Sequence, residues 1–341
     1  TYEYKVNEES IKLISLINGE RTVDDLTDIY NNTYKRNVNP ESVMQILKFL
    51  MSINVVVEID ANDKVNIDQR YERQINYLSE LSLGEFSGIE NHNKLVNTKF
   101  LILGVGGVGG DIALLLAMAG VKEITVLDHD DVTNSDIARH MYFRKKYIGR
   151  KKVDVLKEEL TMINPNIIVN CLPYAYRPDT NIDEWLDKSD FVINAADEPY
   201  IGYTSIKLSK NCYEKNKPHY IAGGFDIHVM STGELIIPGV TPCVNCYMRY
   251  FKKKLSNWIP ENKKVRDTMN EYGGFASQSL FSASYAVTQI IKYICGSEFE
   301  SERLTRGEVD FEKYNIQYLD VKKDPECPVC GGGIKNESKD S

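Results

Sequence analysis

The chain has 341 residues, of which 42% are apolar and 26% charged, and a formal net charge of −8. That balance suits a globular protein with room for two domains and a substantial core. The acidic excess argues against a general nucleic-acid binder, and no apolar run approaches the roughly 18 residues that span a bilayer, so neither nucleic acid nor membrane is expected as a partner.

In chain order, residues 1–67 come first. Ile11, Ile14 and Ile17 recur at helical spacing before Asn18-Gly19, a helix stop. Val23, Leu26, Ile29 and Tyr30 predict a second helix. Pro40 opens a third, with Val43, Ile46, Leu47, Leu50 and Met51 as its apolar stripe. Val55–Ile59 reads as a strand, and Asn62-Asp63 as the turn into Val65 and Ile67. Three helices and a hairpin make a winged-helix-like domain. Its third helix carries only Lys48 as a cation, too few for DNA phosphates. Residues 68–95 form a polar helical connector containing Arg70-Tyr71-Glu72-Arg73-Gln74.

From residue 96 onward the pattern alternates. Phe100–Leu103 reads as a buried strand, followed by Gly104-Val105-Gly106-Gly107-Val108-Gly109-Gly110 and a helix through Ala119. Ile124–Asp128 is the next strand and 150–163 the next helix. Strands follow at Ile167–Cys171, Phe191–Ala195 and His219–Ala222. Alternation of this kind predicts an α/β fold, a doubly wound, mostly parallel Rossmann-like sheet. Beyond Gly223, Ile227–Met230 and Glu234–Ile237 read as a hairpin around Ser231-Thr232-Gly233. Residues 249–275 read as a long loop, a candidate lid carrying Tyr250, Phe251, Trp258 and Tyr272. Residues 277–295 read as a helix and 336–341 as a disordered tail.

Gly104, Gly106 and Gly109 satisfy GxGxxG between a strand and a helix, and Asp128 ends the next strand about 20 residues on. Such a loop lets backbone approach phosphate at a helix N-terminus, while the acid accepts from ribose hydroxyls. Alone, it fits a nicotinamide dinucleotide as readily as a mononucleotide. The residues that follow separate the two: Asp128-His129-Asp130, then Arg139-His140, then Lys152, then Asp197. Transfer from a triphosphate needs cations to neutralise its charges, a need that hydride transfer does not have.

In order and spacing this set, covering about residues 70–330, resembles the ubiquitin-activating-like superfamily of ThiF, MoeB and HesA. The resemblance implies that Gly104, Gly106, Gly107 and Gly109 cradle ATP and that Asp128 binds ribose. It implies that Arg139 and Lys152 hold phosphates, and that Asp197, with Asp130 nearby, holds Mg²⁺. Two positions depart from the family pattern: its Asn is Asp136 here and its Gln is His140. Arg70–Gln74 resembles the family's R-Y-x-R-Q segment, which implies that Arg73 reaches the ATP of a second protomer in a composite homodimer site.

Seven cysteines without a secretion signal argue against a disulfide framework and for a cytoplasmic location. Cys243, Cys246, Cys327 and Cys330 form two CxxC pairs, a four-thiolate pattern for structural Zn²⁺. Cys171, Cys212 and Cys295 lie in no nucleophile context and read as small buried hydrophobes, so no thioester step is assigned. The N-terminal segment, through Asn18-Gly19-Glu20-Arg21-Thr22-Val23 and the 43–51 stripe, resembles PqqD-like leader-peptide recognition domains. Joined to an adenylation domain, that is the layout of microcin C-type peptide adenylyltransferases, which implies adenylation of the C-terminal carboxylate of a ribosomal peptide. Activation of a ubiquitin-like sulfur carrier and a non-catalytic role in presenting a leader peptide are the alternatives.

Overall fold

The structure is a computed structural model describing residues 5–53, 55–56, 68–81, 88–177, 179–197, 201–226, 229–256, 274–296 and 306–331. Two compact units divide the chain, one ending at His92 and one beginning at Asn93.

In the first unit, α1 (Glu8–Ile14), α2 (Val23–Tyr34) and α3 (Pro40–Ser52) enclose Leu13, Leu26, Tyr30 and Val43. Each helix begins at a polar cap that accepts one of its free N–H groups. Asn7 accepts from Ser10, Thr22 exchanges bonds with Asp25, and Asn39 accepts from Ser42 ahead of Pro40. Ser10 and Leu13 of α1 are buried, whereas Ile11 is exposed rather than part of a buried stripe. Val55 and Val56 lie in a bend, and the rest of the expected hairpin, 57–67, is outside the described residues. The segment expected to be a helical connector holds a 3₁₀ turn at Gln69–Tyr71, then α4 (Glu72–Leu81) and α5 (Gly88–Asn97). Arg73 is exposed on α4.

The second unit is built on a six-stranded sheet of β1 (Lys99–Leu103), β2 (Glu123–Leu127), β3 (Ile168–Leu172), β4 (Phe191–Asn194), β5 (His219–Ile221) and β8 (Glu234–Ile236). Its order is β3-β2-β1-β4-β5-β8; all pairs are parallel except β5 with β8. The run Phe100–Leu103 is wholly buried, as expected of a parallel strand covered on both faces. The helices are α6 (Gly107–Met118), α7 (Lys152–Ile163), α8 (Asp183–Lys188), α9 (Ile201–Glu214), α10 (Val244–Lys254) and α11 (Ala276–Ile294). Leu103 pairs with both Leu127 and Asn194, so Gly104, Asp128 and Ala195 leave the sheet side by side. This is where the strand order reverses, the crevice where open α/β sheets bind ligands.

Two expectations are corrected. The strands around Ser231-Thr232-Gly233 are not a hairpin: β7 (Val229–Ser231) joins a separate antiparallel sheet, β10-β9-β7-β6, with β6 (Phe225–Asp226), β9 (Gly307–Asp310) and β10 (Asn315–Tyr318), while β8 edges the main sheet. Thr232 makes this crossover possible. It is fully buried and exchanges hydrogen bonds with Gly307, and its carbonyl accepts from the Tyr220 hydroxyl. The expected loop from 249 is helical through Lys254, because Val244, Cys246 and Tyr247 supply a buried face and Lys252–Lys254 suit a helix C-terminus. Residues 257–273, with Trp258 and Tyr272, lie outside the described residues, as does the 336–341 tail. Among the described residues no helix is long and apolar enough to cross a membrane.

Candidate functional site

The glycine loop closes the top of β1. Gly104 has φ +80°, and a Cβ there would stand 2.7 Å from the Ala195–Ala196 backbone, so only glycine fits. A Cβ at Gly109 would meet the Gly104 carbonyl at 2.0 Å, which keeps the first turn of α6 tight against the loop. Gly106 differs: a Cβ there would meet nothing within 4 Å. Gly106 is the N-cap of α6, so the free N–H groups of a helix start face that open side.

Asp128 holds this loop from the neighbouring strand. One carboxylate oxygen accepts from Val105 N–H at 2.8 Å and the other from Asp130 N–H at 2.9 Å. Asp197 is exposed on the segment after β4, one residue beyond the Ala195–Ala196 contact with Gly104.

The three consecutive cations 150–152 are sorted by the fold. Arg150 pairs with Glu158 and Lys151 with Asp131, both at the surface. Lys152 turns inward: it is 7% exposed, 2.9 Å from Asp130 and 3.6 Å from Asp136. Burial alone would lower its pKa, but the Asp130 hydrogen bond and the charges of Asp128, Asp130 and Asp136 outweigh burial and raise it. Arg139, half exposed, reaches the same Asp136 at 3.3 Å.

Asp136 is a site residue whose role the sequence reading left open. Its carboxylate is 1% exposed and accepts from Thr133 N–H and Oγ1, both at 2.8 Å. Burial pushes it up, and these bonds with the Lys152 charge more than offset that, holding the carboxyl below its ordinary value. It is the internal counter-ion that joins Lys152 and Arg139. The signal in sequence was Thr133 three residues before it, a local side-chain-to-backbone turn. His140 Nδ1 lies 2.8 Å from the Asp136 carbonyl, and burial keeps this imidazole below its usual pKa.

The four paired cysteines meet as expected. Sγ separations are 4.0 Å for Cys243–Cys246, 3.5 Å for Cys243–Cys327 and 3.2 Å for Cys246–Cys330. Four thiolates ~2.3 Å from one Zn²⁺ stand ~3.8 Å apart, whereas a disulfide needs ~2.05 Å, so the donor set fits a tetrahedral ion. The Asp324 N–H points at Cys246 Sγ and Arg249 grips Asp324, the outer support such a site requires. Burial raises the thiols of Cys171, Cys212 and Cys295, the last to about 11, which is the opposite of an activated nucleophile.

The ThiF family model matches residues 71–329. The sulfur carrier protein ThiS adenylyltransferase of Escherichia coli is 26% identical over 266 residues, covering 77% of this chain and 95% of that one. The crystal structure of E. coli MccB with MccA-N7isoASN superposes with TM-score 0.73 at 23% identity, covering 96% of this chain and 92% of that one. The crystal structure of E. coli MccB with ATP gives TM-score 0.72 at 23% identity, covering 95% and 90%. The α/β fold with its mostly parallel sheet is thus that of MccB.

Proposed function

The chain belongs to the ThiF family, and from that premise we propose that it adenylates the C-terminal carboxylate of a ribosomally made peptide, using ATP. The observation that carries the reading is Lys152, turned inward beside the glycine loop and linked through Asp136 to Arg139. A carboxylate oxygen of the peptide attacks the α-phosphorus, the bond to the β-phosphate oxygen breaks, and pyrophosphate leaves with its electron pair. Arg139 and Lys152 hold phosphate charge during that displacement, and Asp128 accepts from ribose.

The cluster also argues for a metal. Lys152 and Arg139 face Asp128, Asp130 and Asp136, so fixed cations do not outnumber carboxylates. A triphosphate therefore needs Mg²⁺ with it, and Asp197 and Asp130 are the carboxylates to hold it. When bound, Mg²⁺ neutralises phosphate oxygens. Zn²⁺ in the four-cysteine site would tie the segment around 327–330 to α10.

The N-terminal unit is read as the PqqD-like, winged-helix part that takes the peptide leader, and Arg73 as a finger donated across a homodimer. The fold shared with MccB over nearly the whole chain supports the peptide reading. The likeness to a ThiS adenylyltransferase supports a second, a diglycine-ended sulfur carrier as substrate. Mass spectrometry decides between them. The chain is incubated with Mg²⁺-ATP and either a small peptide encoded beside its gene or a sulfur-carrier protein. A peptide product heavier by one adenylyl group, with pyrophosphate released, supports the proposal; adenylation of the carrier alone replaces it.

A further inference from the structure

We propose that Tyr142 is a positioning residue: its hydroxyl holds the Val105–Gly106 peptide so that the Gly106 N–H faces the nucleotide side of the loop. The inference rests on the nucleotide-binding reading above. Tyr142 belongs to none of the sequence motifs, yet it is 2% exposed and sits between the two halves of the site.

Three contacts place it. Its hydroxyl donates to the Val105 carbonyl at 3.0 Å. Its ring lies against the first turn of α6 at Gly110, where a Cβ would stand 2.0 Å from the hydroxyl oxygen and 2.7 Å from the ring carbons. The same ring packs on Phe143 at 4.4 Å and meets His140 edge-on at 5.9 Å. His140 follows Arg139, whose carbonyl lies 3.4 Å from the position of a Gly107 Cβ. Burial, with the charges of Asp111 and Asp128, pushes the phenol well above its ordinary value, so the hydroxyl keeps its proton and donates.

The geometry of a trans peptide supplies the function. Its carbonyl and the following N–H point in opposite directions. A Val105 carbonyl fixed on the buried Tyr142 therefore sends the Gly106 N–H the other way, away from that ring. The preceding peptide is fixed as well, because Val105 N–H is bound to Asp128. Both peptides flanking Val105 are thus locked, one from the end of β2 and one from Tyr142. Without the hydroxyl the Val105–Gly106 peptide is free to turn, and a donor to phosphate is lost part of the time. A phenylalanine would fill the same volume but leave that peptide unheld.

The test is isothermal titration of Mg²⁺-ATP into the full chain, for wild type, Tyr142→Phe, Gly110→Ala and the double variant, with thermal unfolding of each. Tyr142→Phe should weaken ATP binding about fivefold, the equilibrium equivalent of one hydrogen bond, at a temperature where the variant is folded. Gly110→Ala reaches the same contact from the helix side. It should cost more affinity as a single variant than when added to Tyr142→Phe. The new methyl strikes ring carbons in either background, but only in the wild type can it also push the hydroxyl off the Val105 carbonyl, so the two effects share one lost hydrogen bond and are coupled. A wild type that binds ATP while Tyr142→Phe binds it equally, even with a lower melting temperature, overturns the role of Tyr142 and leaves the nucleotide reading standing. A wild type that binds no ATP overturns both. Additive losses for the two variants would also overturn the proposal.

Discussion

Asp111 gives the sharpest stability prediction. It lies in α6 directly after Gly110, 1% exposed, and neither carboxylate oxygen has a hydrogen-bond partner within the described residues. Burial raises its pKa from the ordinary 3.8 to about 7. A carboxyl raised on folding stabilises fully below its unfolded pKa, and that contribution is lost as pH rises through the folded pKa. The window runs from about 4 to 7, with a total of ~4 kcal/mol at about 1.4 kcal/mol per pH unit. Asp111→Asn keeps size and removes the charge, and any fixed cost of its unpartnered amide cancels between two pH values. Relative to wild type, the variant should therefore gain ~4 kcal/mol between pH 4 and pH 8. Urea unfolding followed by tryptophan fluorescence reads this out, since both tryptophans, Trp185 and Trp258, fall within residues 93–341. A difference between variant and wild type that stays flat across this range would refute the reasoning.

Three further outcomes are expected. Freshly purified protein should carry zinc, and Cys327→Ser or chelation should abolish cooperative unfolding of the second unit, since structural zinc contributes ~10 kcal/mol or more; a metal-free chain of unchanged stability contradicts the site. His219 is fully buried between Lys217 and Ser209, with its pKa lowered from 6.5 to about 4. The unfolded chain alone takes up this proton between those values, so wild type should lose ~3 kcal/mol as pH falls from 6.5 to 4, and His219→Gln should flatten that slope in equilibrium unfolding. Mixing inactive Arg73→Ala and Lys152→Ala proteins should restore about a quarter of wild-type pyrophosphate release, because half the dimers are mixed and each of those has one intact site; no recovery would remove the trans assignment of Arg73.

Much of the main sheet was legible because its signals are local. Phe100–Leu103, the glycines and Asp128 form strand, turn and strand end within about 30 residues, and the shortness of the apolar run with the glycines behind it marks a strand rather than a helix. The cysteine clasp was legible for a different reason: thiolate pairs of this spacing have few other uses. What failed was non-local. Nothing in Val229–Ile236 states that its two strands join different sheets, because that depends on Thr232 meeting Gly307 some 75 residues later. The β9–β10 ribbon went unseen because its strands are four residues long and β10 is exposed throughout. Asp136 looked like a misplaced charge in sequence; only its partners Thr133, Lys152 and Arg139 make it an internal counter-ion.

The central claim is that the glycine loop and Lys152 together gather a triphosphate. ATP–pyrophosphate exchange, measured with the carboxylate substrate for wild type and Lys152→Met, tests it most directly. Exchange should depend on substrate and Mg²⁺ in wild type and fall by ~10² in the variant, the usual cost of losing one charge-stabilising contact. Undiminished exchange in a folded Lys152→Met protein would contradict the account.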